Sequence, residues 1–269
     1  MSSQSPPTIV LVHGAWHTPT AYQPFISALK AQGFTVHAPL LPSSAQSLNP
    51  SQSQHQDKPA SLPEDIACIR NLISTLANQG HRILPLFHSY GGVVGTDAIT
   101  RDLTLPDRQS RGLPGGVIHL VYICAYMLLP GGSVVKTIQE GGVENPAETI
   151  VDVGDDRFMY PKDPIAQMYN MVERGVAESV VGGLVRFPFE ACDMESVGEA
   201  WRFVPVTYVV TGSDRMVWRE WQVGMVGRVR EHGGDVRMVE LDSCHSPFLS
   251  KRGELVGVVV GAARDERNA

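Results

Sequence analysis

Thr8-Ile9-Val10-Leu11-Val12 is an apolar, β-branched run with no polar face, entered from Pro6-Pro7. A run of this kind is a strand covered on both faces, and such strands belong to parallel sheets flanked by helices. Ala21 to Gln32 follows with Tyr22, Phe25, Ile26 and Leu29 at helical spacing and stops at Gly33. Phe34 to Ala38 then returns as a short strand. Strand, helix and strand within about 40 residues make a βαβ unit.

The same rhythm runs on. Ser61 is placed to cap a helix in which Ile66, Ile69, Ile73 and Leu76 recur every three or four residues up to Gly80. Ile83 to Phe87, Val117 to Ile123, Thr207 to Val210 and Val236 to Leu241 read as strands. Gly91 to Thr100, Trp218 to Val229 and Glu254 to Ala262 read as helices. Two segments break the pattern. Leu41 to Ser61, rich in Pro, Ser and Gln, reads as a long surface loop. Pro130 to about Ala200 has helical stretches (Ile165 to Met171, Val176 to Val181) but no strand rhythm. It reads as a cap over the carboxyl edge of the sheet, where ligands bind in α/β folds. The expectation is one α/β domain over residues 1–269, a mostly parallel sheet flanked by helices, with a helical cap at about 130–200.

Composition narrows the function. The chain has 269 residues, 22 Lys plus Arg against 28 Asp plus Glu, and a net charge of −6. No basic stripe is present to neutralise phosphates or anionic lipid, so neither nucleic acid nor a membrane surface is an expected partner. The apolar run Val256 to Ala263 is too short to span a bilayer, and the amino terminus lacks the pattern of a secretory signal. Four dispersed cysteines, Cys68, Cys124, Cys192 and Cys244, form no C-x-x-C pair and read as reduced thiols. A cytoplasmic location is expected. No feature of the sequence points to a particular oligomeric state.

The chemistry gathers at three places. Phe87-His88-Ser89-Tyr90-Gly91-Gly92 stands where a strand turns into a helix. A serine on such a turn projects its hydroxyl from the sheet, and the helix start offers backbone N–H groups to developing negative charge. Glycine usually stands two positions either side of that serine; here Gly91 does, and Phe87 takes the other place. Pro85 also removes a donor from what should be a central strand. His13-Gly14-Ala15-Trp16, directly after the first strand, is a loop able to supply a second oxyanion donor from Ala15, beside that of Tyr90.

An orienting acid and a base should follow, each just after a later strand. Asp214 lies in a Gly-Ser turn after Tyr208-Val209-Val210-Thr211, and His245 follows Asp242-Ser243-Cys244 after the last strand. The chain order Ser89, Asp214, His245 is that of one hydrolase class, whereas other Ser-His-Asp folds use different orders. Asp242 is the rival acid, disfavoured by its closeness to His245. His13 and His17 lie four apart on a loop rather than a helix, which argues against a zinc pair, and His88 reads as a packing residue. Phe158, Met159, Tyr160, Met168, Tyr169 and Met171 are candidates to line an apolar pocket. No phosphate-binding glycine pattern occurs, so no cofactor is expected.

On these residues the chain resembles the α/β-hydrolases, and within them the plant methylesterase and hydroxynitrile lyase group with its microbial relatives. The resemblance covers Val10 to Pro39, the turn at Ser89, the cap to near Phe189, Thr211 to Asp214, and His245-Ser246-Pro247. It implies a Ser89–Asp214–His245 esterase with Ala15 and Tyr90 as oxyanion donors, acting on a small-molecule ester. In the lyases of that group threonine replaces the glycine after the first histidine, and lysine follows the catalytic histidine. Gly14 and Ser246 stand at those positions here, which favours ester hydrolysis over cyanohydrin cleavage. The other readings are a C–C bond lyase of that type, and a ligand-binding receptor or scaffold on a hydrolase fold.

Overall fold

The computed structural model describes residues 6–48, 59–265 and 267. Its strands are β1 (Thr8–Val12), β2 (Val36–His37), β3 (Arg82–His88), β4 (Gly116–Val117), β5 (Leu120–Ile123), β6 (Val151–Val153), β7 (Phe158–Pro161), β8 (Phe187–Pro188), β9 (Val206–Thr211) and β10 (Val236–Leu241). The main sheet runs β10-β9-β5-β3-β1-β2, with β4 also beside β3, and its pairings are parallel. Alternation along the strands divides the core into two layers. Val10, Val12, Ile83 and Phe87 face helices Leu62–Asn78, Gly91–Ala98 and Arg219–Glu231. Ile9, Leu11, Leu84 and Leu86 face Gln23–Ala31 and Arg252–Ala263. Both faces are covered, which is why β1, β5 and β9 are buried at every position.

Local chemistry sets the ends of these elements. Ser61 caps Leu62–Asn78 in a reciprocal arrangement: its N–H donates to Glu64 Oε2 at 2.8 Å, while its side chain accepts from the backbone three residues on. Pro85 sits in the middle of central β3, yet no ladder bond is lost. Ile83 O accepts from Ile118 N–H and Ser89 N–H donates to Ile123 O, so odd-numbered residues of β3 turn their polar groups toward β4 and β5. That neighbour is interrupted at Ile118–His119, between β4 and β5, beside the residue that has no N–H to give. The single strand expected from Val117 to Ile123 is therefore two strands separated by this break.

Two expectations need correcting. Within the supposed loop from Leu41 to Ser61, Pro42–Leu48 is a helix with Ser43 and Ser44 fully buried; residues 49–58 of that loop lie outside the described residues. Ser43 finds a buried partner in Asp65, which composition alone does not register. The segment from 130 to 200 is also not purely helical. Helices Val134–Glu140, Pro146–Thr149, Pro164–Met168, Arg174–Val181 and Phe189–Asp193 are joined by an antiparallel sheet, β6-β7-β8. Its strands of two to four residues are too short to show an alternating pattern in sequence. Among the described residues no helix is long and apolar enough to cross a membrane.

Candidate active site

Three of the four non-glycine residues with positive φ among the described residues are Trp16 (62°), Ser89 (53°) and Cys124 (38°). They follow β1, β3 and β5, neighbours in the sheet, at their carboxyl ends. Strained backbone of this kind persists only where its surroundings over-determine it, and it gathers at functional sites. Ser89 N–H donates to Ile123 O at 3.3 Å, and Ser89 O accepts from Tyr126 N–H at 3.1 Å. The turn is thus stitched to the end of β5.

Phe87 is accommodated by a change elsewhere. A Cβ built on Gly95, in the helix that follows the turn, would lie 2.1 Å from the Phe87 ring. The close approach that a small residue before the serine normally permits is supplied here by a glycine about one turn into the helix. Gly91 meets the same need on the other side, since a Cβ there would lie 2.5 Å from Val12 O. The turn forms with Phe87 fully buried against Tyr122, ring centroids 5.1 Å apart.

Asp214 and His245 meet. His245 Nδ1–H donates to Asp214 Oδ2 at 2.8 Å, with both side chains buried. The remaining capacity of Asp214 is filled by Thr211 Oγ1 (2.7 Å), Gln222 Nε2 (3.3 Å) and the N–H groups of Met216 and Val217 (2.8 Å each). With Nδ1 engaged as donor, His245 presents Nε2 as its free base. Asp242 is exposed and accepts from Ser213 Oγ at 3.2 Å rather than from the imidazole. No hydrogen bond joins Ser89 Oγ to His245 among the described residues. The two stand at one sheet edge without a closed contact.

The His245 backbone is fixed by residues outside this trio. Its carbonyl accepts from His88 Nε2–H at 2.9 Å and from Cys124 Sγ at 3.3 Å. Because a carbonyl only accepts, His88 carries its proton on Nε2 and takes one at Nδ1 from Tyr22 OH (2.7 Å). Tyr22 OH in turn accepts from Gly14 N–H at 3.1 Å. Burial, with the neighbouring imidazoles acting the same way, holds the His88 pKa well below its usual range, so the neutral tautomer persists. His88, expected only to pack, links the loop after β1 to the base.

That loop is held just as tightly. His13 Nδ1–H donates to Gly14 O and its Nε2 accepts from Leu41 N–H. His17 Nδ1–H donates to Ala15 O and its Nε2 accepts from Tyr169 OH. Burial lowers their pKa values to about 4 and about 3, which keeps both rings neutral. Trp16 Nε1–H donates to Met159 O, and Val185 N–H donates to Trp16 O. Among the described residues the Ala15 and Tyr90 N–H groups have no acceptor. Both residues line one cavity with Ser89. Its walls are apolar: Trp16, Tyr126, Ile138, Ile150, Met159 and Met216 are among them. Of the six cap residues expected there, Met159 alone belongs to this wall; Tyr169 serves His17, and Met171 is exposed.

Sequence reasoning missed His88, Thr211 and Gln222. Gln222 had a visible signal, a lone amide among Trp221, Met225 and Val226 on the buried side of its helix. Its Oε1 accepts from Thr211 N–H, and its Nε2 donates to Thr211, Asp214 and Val217.

Comparison with known proteins places the fold. Residues 9–258 match the model of the alpha/beta hydrolase family. The alpha/beta hydrolase nvfD of Aspergillus novofumigatus is 26% identical over 260 residues, covering 96% of each chain. Tomato methylketone synthase I, solved with 2-tridecanone, superposes with a TM-score of 0.72 at 17% identity, over 96% of this chain and 98% of its own. A mutant of polyneuridine aldehyde esterase superposes with a TM-score of 0.71 at 17% identity, over 94% and 98%.

Proposed function

The chain belongs to the alpha/beta hydrolase family, and from that premise we propose that it is a serine hydrolase cleaving a small or medium carboxylic ester through an acyl-enzyme. The observation that carries the reading is the convergence of Ser89 with the unpaired N–H groups of Ala15 and Tyr90 on one apolar cavity, with the Asp214–His245 pair at the same sheet edge. Ser89 Oγ attacks the ester carbonyl carbon while His245 Nε2 takes its proton. The carbonyl oxygen, now negative, is held by the two N–H groups. Collapse of the tetrahedral intermediate breaks the C–O bond, and the departing alkoxide takes the proton from His245. Water then attacks the acyl-serine, giving its proton to His245, and collapse returns that proton to Ser89 and releases the acid. Asp214 keeps the imidazole in the tautomer with Nε2 free. The scheme calls for no cofactor. An apolar wall without a charged side chain suits an uncharged, apolar substrate group.

Ser89→Ala tests the reading with p-nitrophenyl acetate. Turnover should fall by several orders of magnitude, since losing a triad member removes the nucleophilic route. The thermal midpoint should stay near that of the wild type. Retention of more than about a tenth of wild-type activity would remove Ser89 from its assigned role.

A further inference from the structure

Asp65 lies on the inner side of the Leu62–Asn78 helix with no exposed surface. It stands in the stripe Leu62, Asp65, Ile69, Ile73, Leu76, where an apolar residue would pack at lower cost. Among the described residues no Lys, Arg or His pairs with it. Its donors are neutral: Ser43 N–H (2.9 Å) to Oδ1, and Ser43 Oγ (2.6 Å) and Tyr90 OH (2.9 Å) to Oδ2. Burial is the largest influence on its carboxyl and raises its pKa to about 6, with the nearby Glu64 charge acting the same way. Burying a carboxylate without a cation is costly, so stability alone gives no reason for this residue.

Tyr90 supplies a reason. It immediately follows Ser89, caps the Gly91–Ala98 helix and brings its unpaired N–H to the cavity. Its own side chain points away from the reaction and is clamped at two places. The hydroxyl donates to Asp65, and the ring packs edge-to-face on Phe187 of β8, centroids 4.9 Å apart at 70°. The peptide carrying the N–H is therefore held by the far end of the same residue. A hydrogen bond to a carboxylate is shorter and stronger than one to a neutral acceptor, and it fixes the ring against rotation out of that position. Ser43 completes the clamp by tying Asp65 to the Pro42–Leu48 helix.

We propose that Asp65 is a positioning residue: through the Tyr90 hydroxyl it aims the Tyr90 N–H at the oxygen that becomes negative in the transition state. This rests on the oxyanion assignment made under Proposed function. Misdirecting one donor costs transition-state stabilisation and leaves substrate binding nearly intact, because the substrate carbonyl is only weakly polarised before attack.

The test uses Asp65→Asn, Tyr90→Phe and the double variant, with p-nitrophenyl acetate as substrate and an alkylboronic acid as a tetrahedral mimic. Each single change should lower kcat about 10- to 30-fold and leave KM within about twofold, less than the loss of a whole oxyanion donor. Boronic acid affinity should fall in parallel with kcat. The double variant should be no worse than the poorer single, since both changes cut the same link. A purely structural Asp65 would lower the unfolding midpoint without this split between kcat and KM. If kcat stays within about twofold in both singles, or the losses multiply in the double variant, the proposal falls. Should Asp65→Asn fail to fold, Tyr90→Phe, which deletes one hydroxyl, decides alone by the same criterion. Ser89→Ala is run beside them. If that variant keeps its activity, the serine hydrolase reading has failed, whereas activity lost with Ser89 but indifferent to Asp65 and Tyr90 overturns only the clamp.

Discussion

Asp214 and Asp65 are both buried carboxylates one residue removed from the proposed chemistry, and the fold treats them differently. Asp214 lies in the turn just past β9 and receives five donors, among them two backbone N–H groups and the His245 imidazole. Asp65 lies within a helix and receives three, from one serine and one tyrosine. The turn after β9 aims two backbone N–H groups at Asp214, whereas the one backbone N–H that reaches Asp65 comes from Ser43 of another helix. The acid paired with the imidazole sits at the sheet edge. The acid in the helix is left with a proton affinity raised by burial to about pH 6.

The largest effect expected from this contrast concerns Asp214. Asp214→Asn keeps the shape but lets the imidazole take the tautomer with Nε2 protonated, so kcat should fall roughly 10⁴-fold. Steady-state kinetics on p-nitrophenyl acetate measures it; a loss under about tenfold would put the two carboxylates on an equal footing.

The second effect is on stability and belongs to Asp65. Its folded pKa, about 6, lies above the 3.8 of the unfolded chain, so the native state binds this proton more tightly. The proton stabilises the fold below pH 4, and that stabilisation is lost as pH rises through the window from about 4 to 6, after which the difference is flat. The shift corresponds to roughly 3 kcal/mol. The groups facing Asp65 from its neighbours are Tyr90, Glu64, Cys68 and Cys192, and none of the four is a cation. Urea midpoints of wild type and Asp65→Asn, measured from pH 4 to 7, should diverge across that window in favour of the variant. Parallel curves would mean that Asp65 does not titrate there.

A smaller effect sharpens the Asp214 side. Gln222→Leu removes the amide that joins Thr211, Asp214 and Val217, leaving Thr211 N–H buried without its acceptor. It should cost about 1–3 kcal/mol of stability, read from urea unfolding, and lower kcat less than Asp214→Asn does. The smallest effect is that of Asp242→Asn. This exposed carboxyl bonds Ser213 and not the imidazole, so kcat should stay within about twofold of wild type.

The two carboxylates also divide what a sequence discloses. Asp214 was legible because β9 is a β-branched and aromatic run that stops at Gly212-Ser213, and an acid in that place has few other reasons to be there. Ser89 and His245 likewise follow the ends of β3 and β10. Asp65 was not legible as a site, since a single polar residue in a helical stripe passes for a frayed edge of the pattern. Its partner Ser43 was hidden in a segment whose composition reads as solvent-exposed loop. Phe87 departs from the pattern in another way. The space it needs is made at Gly95, eight residues later, and a motif read position by position has no place for a compensation at that distance. In the cap, strands of two to four residues carry too little periodicity to be seen at all.

The central claim is that Ser89 is a nucleophile activated by His245 at this sheet edge, and a covalent probe tests it most directly. Wild-type protein treated with a fluorophosphonate and digested for peptide mass spectrometry should carry one equivalent of label, on the peptide containing Ser89. His245→Ala should abolish the label while leaving the fold intact by circular dichroism. Label on a different residue, no label at saturating probe, or undiminished labelling in His245→Ala would contradict the account.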